Sequence, residues 1–101
     1  MNKTIAIDFD GTIHDKAHPA PHKRMGPPIL GAKEALTAFK AKGYNIIIFT
    51  VNNPWKHIEE WMHYFQIPYD EITNIKPNAD YFIDDKAIAF KSWADINSKN
   101  L

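Results

Sequence analysis

The sequence has no cysteine. Disulfides and zinc-thiolate sites are therefore excluded. It has no surplus of charge either: 12 Lys and Arg balance 12 Asp and Glu. A neutral chain carries no overall electrostatic footprint for nucleic acid or an anionic membrane, which leaves room only for a local patch. No apolar run approaches the roughly 20 residues of a membrane span, and the N-terminus lacks a signal-peptide pattern. The expectation is a cytoplasmic protein with no membrane partner. No repeat, low-complexity tract or linker divides the chain. What is present is 101 residues, 45% hydrophobic and 13% aromatic. That is enough for one domain, residues 1–101, around a single core.

Two short apolar runs read as strands, residues 4–9 and, more strongly, residues 45–50, Asn-Ile-Ile-Ile-Phe-Thr. Unbroken runs of this kind suit central parallel strands covered on both faces. Between them Ala32, Ala35, Leu36 and Phe39 mark one face of a helix, and Gly43 suits the position just past its end. Strand, helix, strand makes a βαβ unit with a right-handed crossover. A second helix starts near Pro54, with Asn53 as its cap. Its inward face is Ile58, Trp61, Met62 and Phe65, and it should stop before Pro68. Short strands are expected at 70–73, 80–84 and 87–90, and Trp93 should pack inward from a final turn or short helix. Residues 13–30 hold Pro19, Pro21, Pro27 and Pro28 and read as a loop or short hairpin.

The polar residues fall at strand ends. The first run closes on Asp8, with Asp10 just beyond, then Gly11 and Thr12. The second closes on Thr50, and Tyr81-Phe82-Ile83 closes on Asp84-Asp85, preceded by Lys76-Pro77. Open parallel sheets bind ligands outside the carboxyl ends of their strands. Carboxylates gathered there repel one another unless a cation neutralises them. Oxygen donors without thiols favour Mg²⁺. With Lys76 and the Thr50 hydroxyl beside them, they make a site for a phosphoryl group.

At these residues the sequence resembles the haloacid dehalogenase-like (HAD) phosphatase superfamily. Its DxDGT motif stands as Asp8-Phe9-Asp10-Gly11-Thr12; its strand-ending Thr, its Lys and its acidic pair match Thr50, Lys76-Pro77 and Asp84-Asp85. The resemblance implies a three-layer, Rossmann-like α/β fold with a small, mainly parallel sheet in strand order 5-4-1-2-3. It implies that Asp8 attacks phosphorus and forms an aspartyl-phosphate. Asp10 would act as acid and then base, and Thr50 and Lys76 would bind phosphoryl oxygens. Asp8, the Asp10 carbonyl and Asp84 would hold Mg²⁺, with Asp85 nearby. Phe9, Gly11, Thr12 and Asn52 are the expected substrate-contacting positions around them.

The chain departs from the family in two ways. Only Asn78 to Ile83 separate Pro77 from Asp84, so the usual helix there is missing. Neither inter-motif gap has room for a cap domain. The expected function is thus a capless, Mg²⁺-dependent phosphatase acting on a phosphate monoester. Its substrate would be large enough to cover the site, such as a nucleotide or nucleic-acid end, or a neighbouring copy in a homo-oligomer would form the lid. A low-turnover module that binds phosphate or metal is the alternative. A phospho-receiver domain is disfavoured, since its acidic pair precedes the phosphorylated Asp.

The histidines His14, His18 and His22 read as a solvated loop. The functional alternative is that His14, Lys16, Lys23 and Arg24 draw an anionic substrate to the entrance. Trp61 and Phe65 read as core. Trp55 reads as packing, with base stacking or an exposed contact as the alternatives.

Overall fold

The computed structural model describes residues 3–15, 26–51, 55–84 and 93. Strand β1 spans Thr4–Asp8, helix α1 Ala32–Ala41 and strand β2 Asn45–Phe49. Helix α2 spans Trp55–Tyr64, β3 Glu71–Thr73 and β4 Tyr81–Ile83. The four strands form one sheet in the order β3-β2-β1-β4. Every pairing is parallel. These are four of the five places in the order the resemblance implies. The strand expected at 87–90 lies outside the described residues.

Buried Ala32, Ala35, Leu36 and Phe39 form the inner face of α1, the four residues that the spacing predicts. The helix ends in two reversed hydrogen bonds. Gly43 N–H donates to the Lys40 carbonyl and Tyr44 N–H to the Phe39 carbonyl. Closing the helix this way needs a left-handed residue, and Gly43 supplies it at φ 90°. Helix α2 ends in the same pattern, with Gln66 N–H on His63 and Ile67 N–H on Met62. There the left-handed residue is Gln66, at φ 56°, and the helix stops short of Pro68 as expected. The expected start of α2, with Asn53 and Pro54, lies outside the described residues.

The core joins Ile5, Ile7, Ile46, Ile48 and Ile83 to the inner faces of both helices and to Trp93. The five isoleucines alternate along their strands and so share one sheet face. The inner residues of α1 and α2 belong to the same cluster, which places both helices on that face, as right-handed crossovers from β1 to β2 and from β2 to β3 would. The return from β3 to β4, residues 74–80, contains no helix, as the short spacing predicts. Among the described residues there is thus one helical layer, not the two flanking layers that a three-layer fold requires. There is also no cap among them. Trp93 packs inward as expected, 2% exposed. Its indole N–H donates to the Thr12 carbonyl at 3.1 Å.

The strand entries are tied by two aspartates. Thr4 N–H donates to the Asp80 carboxylate and Ile46 N–H to that of Asp70, each at 2.7 Å. Asp80 N–H and Asp70 N–H return bonds to the Thr4 and Ile46 carbonyls. Asp70 also takes Lys40 Nζ at 2.7 and 2.9 Å.

Candidate active site at the carboxyl edge of the sheet

Parallel strands deliver their last residues to one edge. Asp8 ends β1 opposite Phe49, so Thr50 follows immediately at the end of β2. Ile7 pairs with Ile83, so Asp84 comes level with Asp8 on the neighbouring strand. Adjacent strands lie roughly 4.8 Å apart. The two carboxylates and the Thr50 hydroxyl therefore start from three neighbouring strand ends. Asp8 and Asp84 are half-buried, and Thr50 is buried with its N–H on the Thr73 carbonyl.

Lys76 is exposed, with Nζ 5.3 Å from the centroid of the Phe82 ring. Positions 82 and 84 share a sheet face by alternation, about 6.6 Å apart along the strand. The ammonium therefore lies over the residue next below Asp84 on that face. Asn52 and Asp85 lie outside the described residues, as do Lys16, His18, His22, Lys23 and Arg24. Trp55 begins α2 half-exposed, and Val51, next to Thr50, is 69% exposed.

The chain after Asp8 curls tightly. The Phe9 carbonyl accepts from the N–H groups of Thr12, Ile13 and His14, and Gly11 N–H donates to the His14 carbonyl. Gly11 sits at φ 83°, which disfavours any side chain. The reason is backbone conformation, not crowding: a Cβ there would meet nothing within 4 Å. Phe9 and Thr12 lie fully buried beneath the curl, and the Thr12 hydroxyl has no hydrogen-bond partner among the described residues.

His14 is not solvated, contrary to the loop reading. It is 4% exposed. Its ring stacks on Phe9 at 5.1 Å and 9°, and meets Trp61 edge-on at 5.6 Å. Nδ1 lies 2.8 Å from Asp10 Oδ1, and Nε2 accepts the Gly26 N–H at 2.7 Å. Burial is favourable because both ring nitrogens are hydrogen-bonded and the ring packs against two aromatic partners. The segment from 26 to 29 runs back along 13–15, with Asp15 N–H on Pro27 and Ile29 N–H on Ile13, which is the hairpin alternative of the sequence reading. Proline spacing hid the burial of His14. A histidine four residues past an acid, across a Gly-Thr curl, was the available signal.

Among the described residues, no three His, Cys, Asp or Glu side chains group closely enough to cage a metal by themselves. Mg²⁺ requires less, since it keeps several waters and takes one or two carboxylates with a substrate phosphate. The half-buried Asp8 and Asp84, on neighbouring strand ends with no thiol in the chain, fit that chemistry.

Fold and site together define a small α/β protein with a four-stranded, all-parallel sheet whose carboxyl edge gathers acids and a hydroxyl. No family model matches the chain, and no curated protein matches it. Solved structures do resemble it. A conserved protein of Bacteroides thetaiotaomicron superposes with a TM-score of 0.76 at 26% identity, over 99% of this chain and 90% of the other. A structural-genomics target from Vibrio cholerae gives 0.64 at 26% identity, over 95% and 94%. Among the described residues no helix is long and apolar enough to cross a membrane.

Proposed function

We propose that the protein is a HAD-type, Mg²⁺-dependent phosphatase that hydrolyses a phosphate monoester through an aspartyl-phosphate. The observation that carries this reading is the convergence of Asp8, Thr50 and Asp84 at adjoining strand ends. They come from the DxDGT, threonine and acidic-pair motifs, widely separated in the chain. An Asp8 oxygen attacks phosphorus as the bond to the leaving oxygen breaks, and Asp10 gives that oxygen its proton. Water then attacks the acyl phosphate and yields its proton to Asp10, which releases inorganic phosphate and restores Asp8. A carboxylate nucleophile divides one difficult displacement into two easier ones. Thr50 and Lys76 bind phosphoryl oxygens.

Asp8, Asp84 and the Asp10 carbonyl would hold Mg²⁺. When bound, the ion supplies charge neutralisation for the two carboxylates and the transferring group. The test is hydrolysis of an aryl phosphate with Mg²⁺, compared with EDTA and with Asp8→Asn. Each change should reduce turnover at least about 100-fold, the lower range for losing a reacting group. Activity indifferent to both would falsify the reading.

The exposed position of Lys76 favours one second reading, a module that binds phosphate or metal with little turnover. That reading expects tight phosphate binding and no product across a broad panel of phosphate esters.

A further inference from the structure

We infer that His14 is a positioning residue for Asp10, holding its carboxylate in one orientation. The inference rests on the phosphatase reading above and deepens it. Its geometry starts at Gly26. A backbone amide can only donate, so the 2.7 Å contact from Gly26 N–H leaves His14 Nε2 without a proton. A neutral imidazole has one N–H, which must then be on Nδ1. Nδ1 therefore donates to Asp10 Oδ1 at 2.8 Å. The contact is sheltered, with the side chains of His14 and Asp10 only 5% and 11% exposed.

The ring cannot turn to another partner without loss. Phe9 stacks on one face and Trp61 meets it edge-on. Trp61 also touches Phe9 edge-on at 5.1 Å. The indole N–H of Trp61 donates to the Gly26 carbonyl at 2.9 Å. Both backbone groups of Gly26 are thus engaged, one by the imidazole and one by the indole. Three segments of chain close this clamp: the curl after β1, Gly26, and α2.

An acid that gives a proton to the leaving group and later takes one from water must present the same oxygen twice. A carboxyl oxygen already accepting a hydrogen bond from a ring held in place by its neighbours keeps the carboxylate plane fixed between them. Orientation of this kind is a recognised part of general acid–base efficiency.

Two substitutions separate the two bonds. His14→Asn keeps an N–H near Nδ1 and loses the acceptor for Gly26. His14→Gln keeps an acceptor near Nε2 and loses the donor to Asp10. The expected result is a kcat for His14→Gln lower by about 10-fold or more, with KM nearly unchanged. His14→Asn should stay within a few-fold of wild type in kcat while melting at lower temperature. Circular dichroism and thermal melts establish that each variant is folded at the assay temperature.

The tautomer is read on the wild type by long-range proton–nitrogen NMR of the imidazoles, with the His14 signal identified by its loss in His14→Gln. The Nδ1–H tautomer is expected; an Nε2–H or doubly protonated ring at neutral pH would overturn the inference. Equal kcat in all three proteins would also overturn it, yet leave the phosphatase reading standing. A wild type with no Mg²⁺-dependent turnover would sink the phosphatase reading and this role with it, while the NMR result would still report the bond.

Discussion

Asp70 holds the start of β2 with its backbone and its side chain together, and it binds Lys40 as well. Burial pushes its carboxyl pKa upward. The Ile46 N–H and the Lys40 ammonium, both hydrogen-bonded to it, outweigh burial and hold it below the ordinary aspartate value. A carboxylate depressed in the folded state contributes stability above its unfolded pKa and loses that contribution as pH falls through the folded one. Wild type and Asp70→Asn should therefore differ most at neutral pH and converge in acid. The carboxylate is 33% exposed and its lysine 35%, so solvent screening limits the gap to about 1 kcal/mol or less. Urea titrations of both proteins at neutral pH and in acid measure it, and a gap that widens in acid would contradict the assignment. This residue was silent in the sequence. An acid before a short strand looks like any turn acid, and only pairing between distant strands gives it the Ile46 amide. The burial of His14 was hidden for a related reason: loops have no periodicity from which burial can be read, and its spacing from Asp10 was the one signal.

The helices were the most legible elements. The burial of α1 repeats its sequence spacing residue for residue, and Gly43 closes it where a flexible residue was expected. The end of α2 was legible from Pro68 but its means was not, because the left-handed position carries Gln66 instead of glycine. A non-glycine residue there costs roughly 1 kcal/mol relative to glycine, which adopts the conformation without a Cβ penalty. Gln66 is exposed, so its side chain can be removed without opening the core. Gln66→Gly should raise stability by about 0.5–1 kcal/mol, seen as a higher midpoint in a thermal melt. The same change made at an ordinary helical position would lower it by a similar amount, so the direction of the shift reports the backbone. Gly31 gives the opposite case. It sits at φ 92°, and a Cβ on it would stand 3.1 Å from the Trp93 Cβ. There both backbone and packing require glycine.

At the scale of the whole molecule, the sheet edge was legible because three of the four motifs end strands, and parallel topology sends all such ends to one side. The motif residues themselves do not state which strands are neighbours; that expectation came through the family resemblance, and the order β3-β2-β1-β4 agrees with it. The second helical layer that the same resemblance implied is not among the described residues, and the β3–β4 return is too short to hold a helix. No cap stands among those residues over the edge that bears Asp8, Thr50 and Asp84. Caps enclose small substrates and exclude water. On the phosphatase reading, a substrate at this edge supplies contacts of its own, and the exposed apolar surface nearest Thr50 in the chain is Val51 and Trp55, 69% and 50% exposed. An aromatic leaving group has surface to place there, while a small sugar phosphate does not. On the phosphatase reading, an aryl or nucleoside monophosphate should be hydrolysed with higher kcat/KM than a small sugar phosphate. Trp55→Ala should remove about 1–3 kcal/mol of stacking, the range known for base–aromatic contacts. It should act through KM for the aromatic substrate alone, because an indole at the rim touches the leaving group and not the phosphorus. Steady-state kinetics on one substrate of each kind decide the matter: a rise in KM shared equally by both would assign Trp55 to packing of α2, and a preference for the sugar phosphate in the wild type would show that the open edge does not select for size.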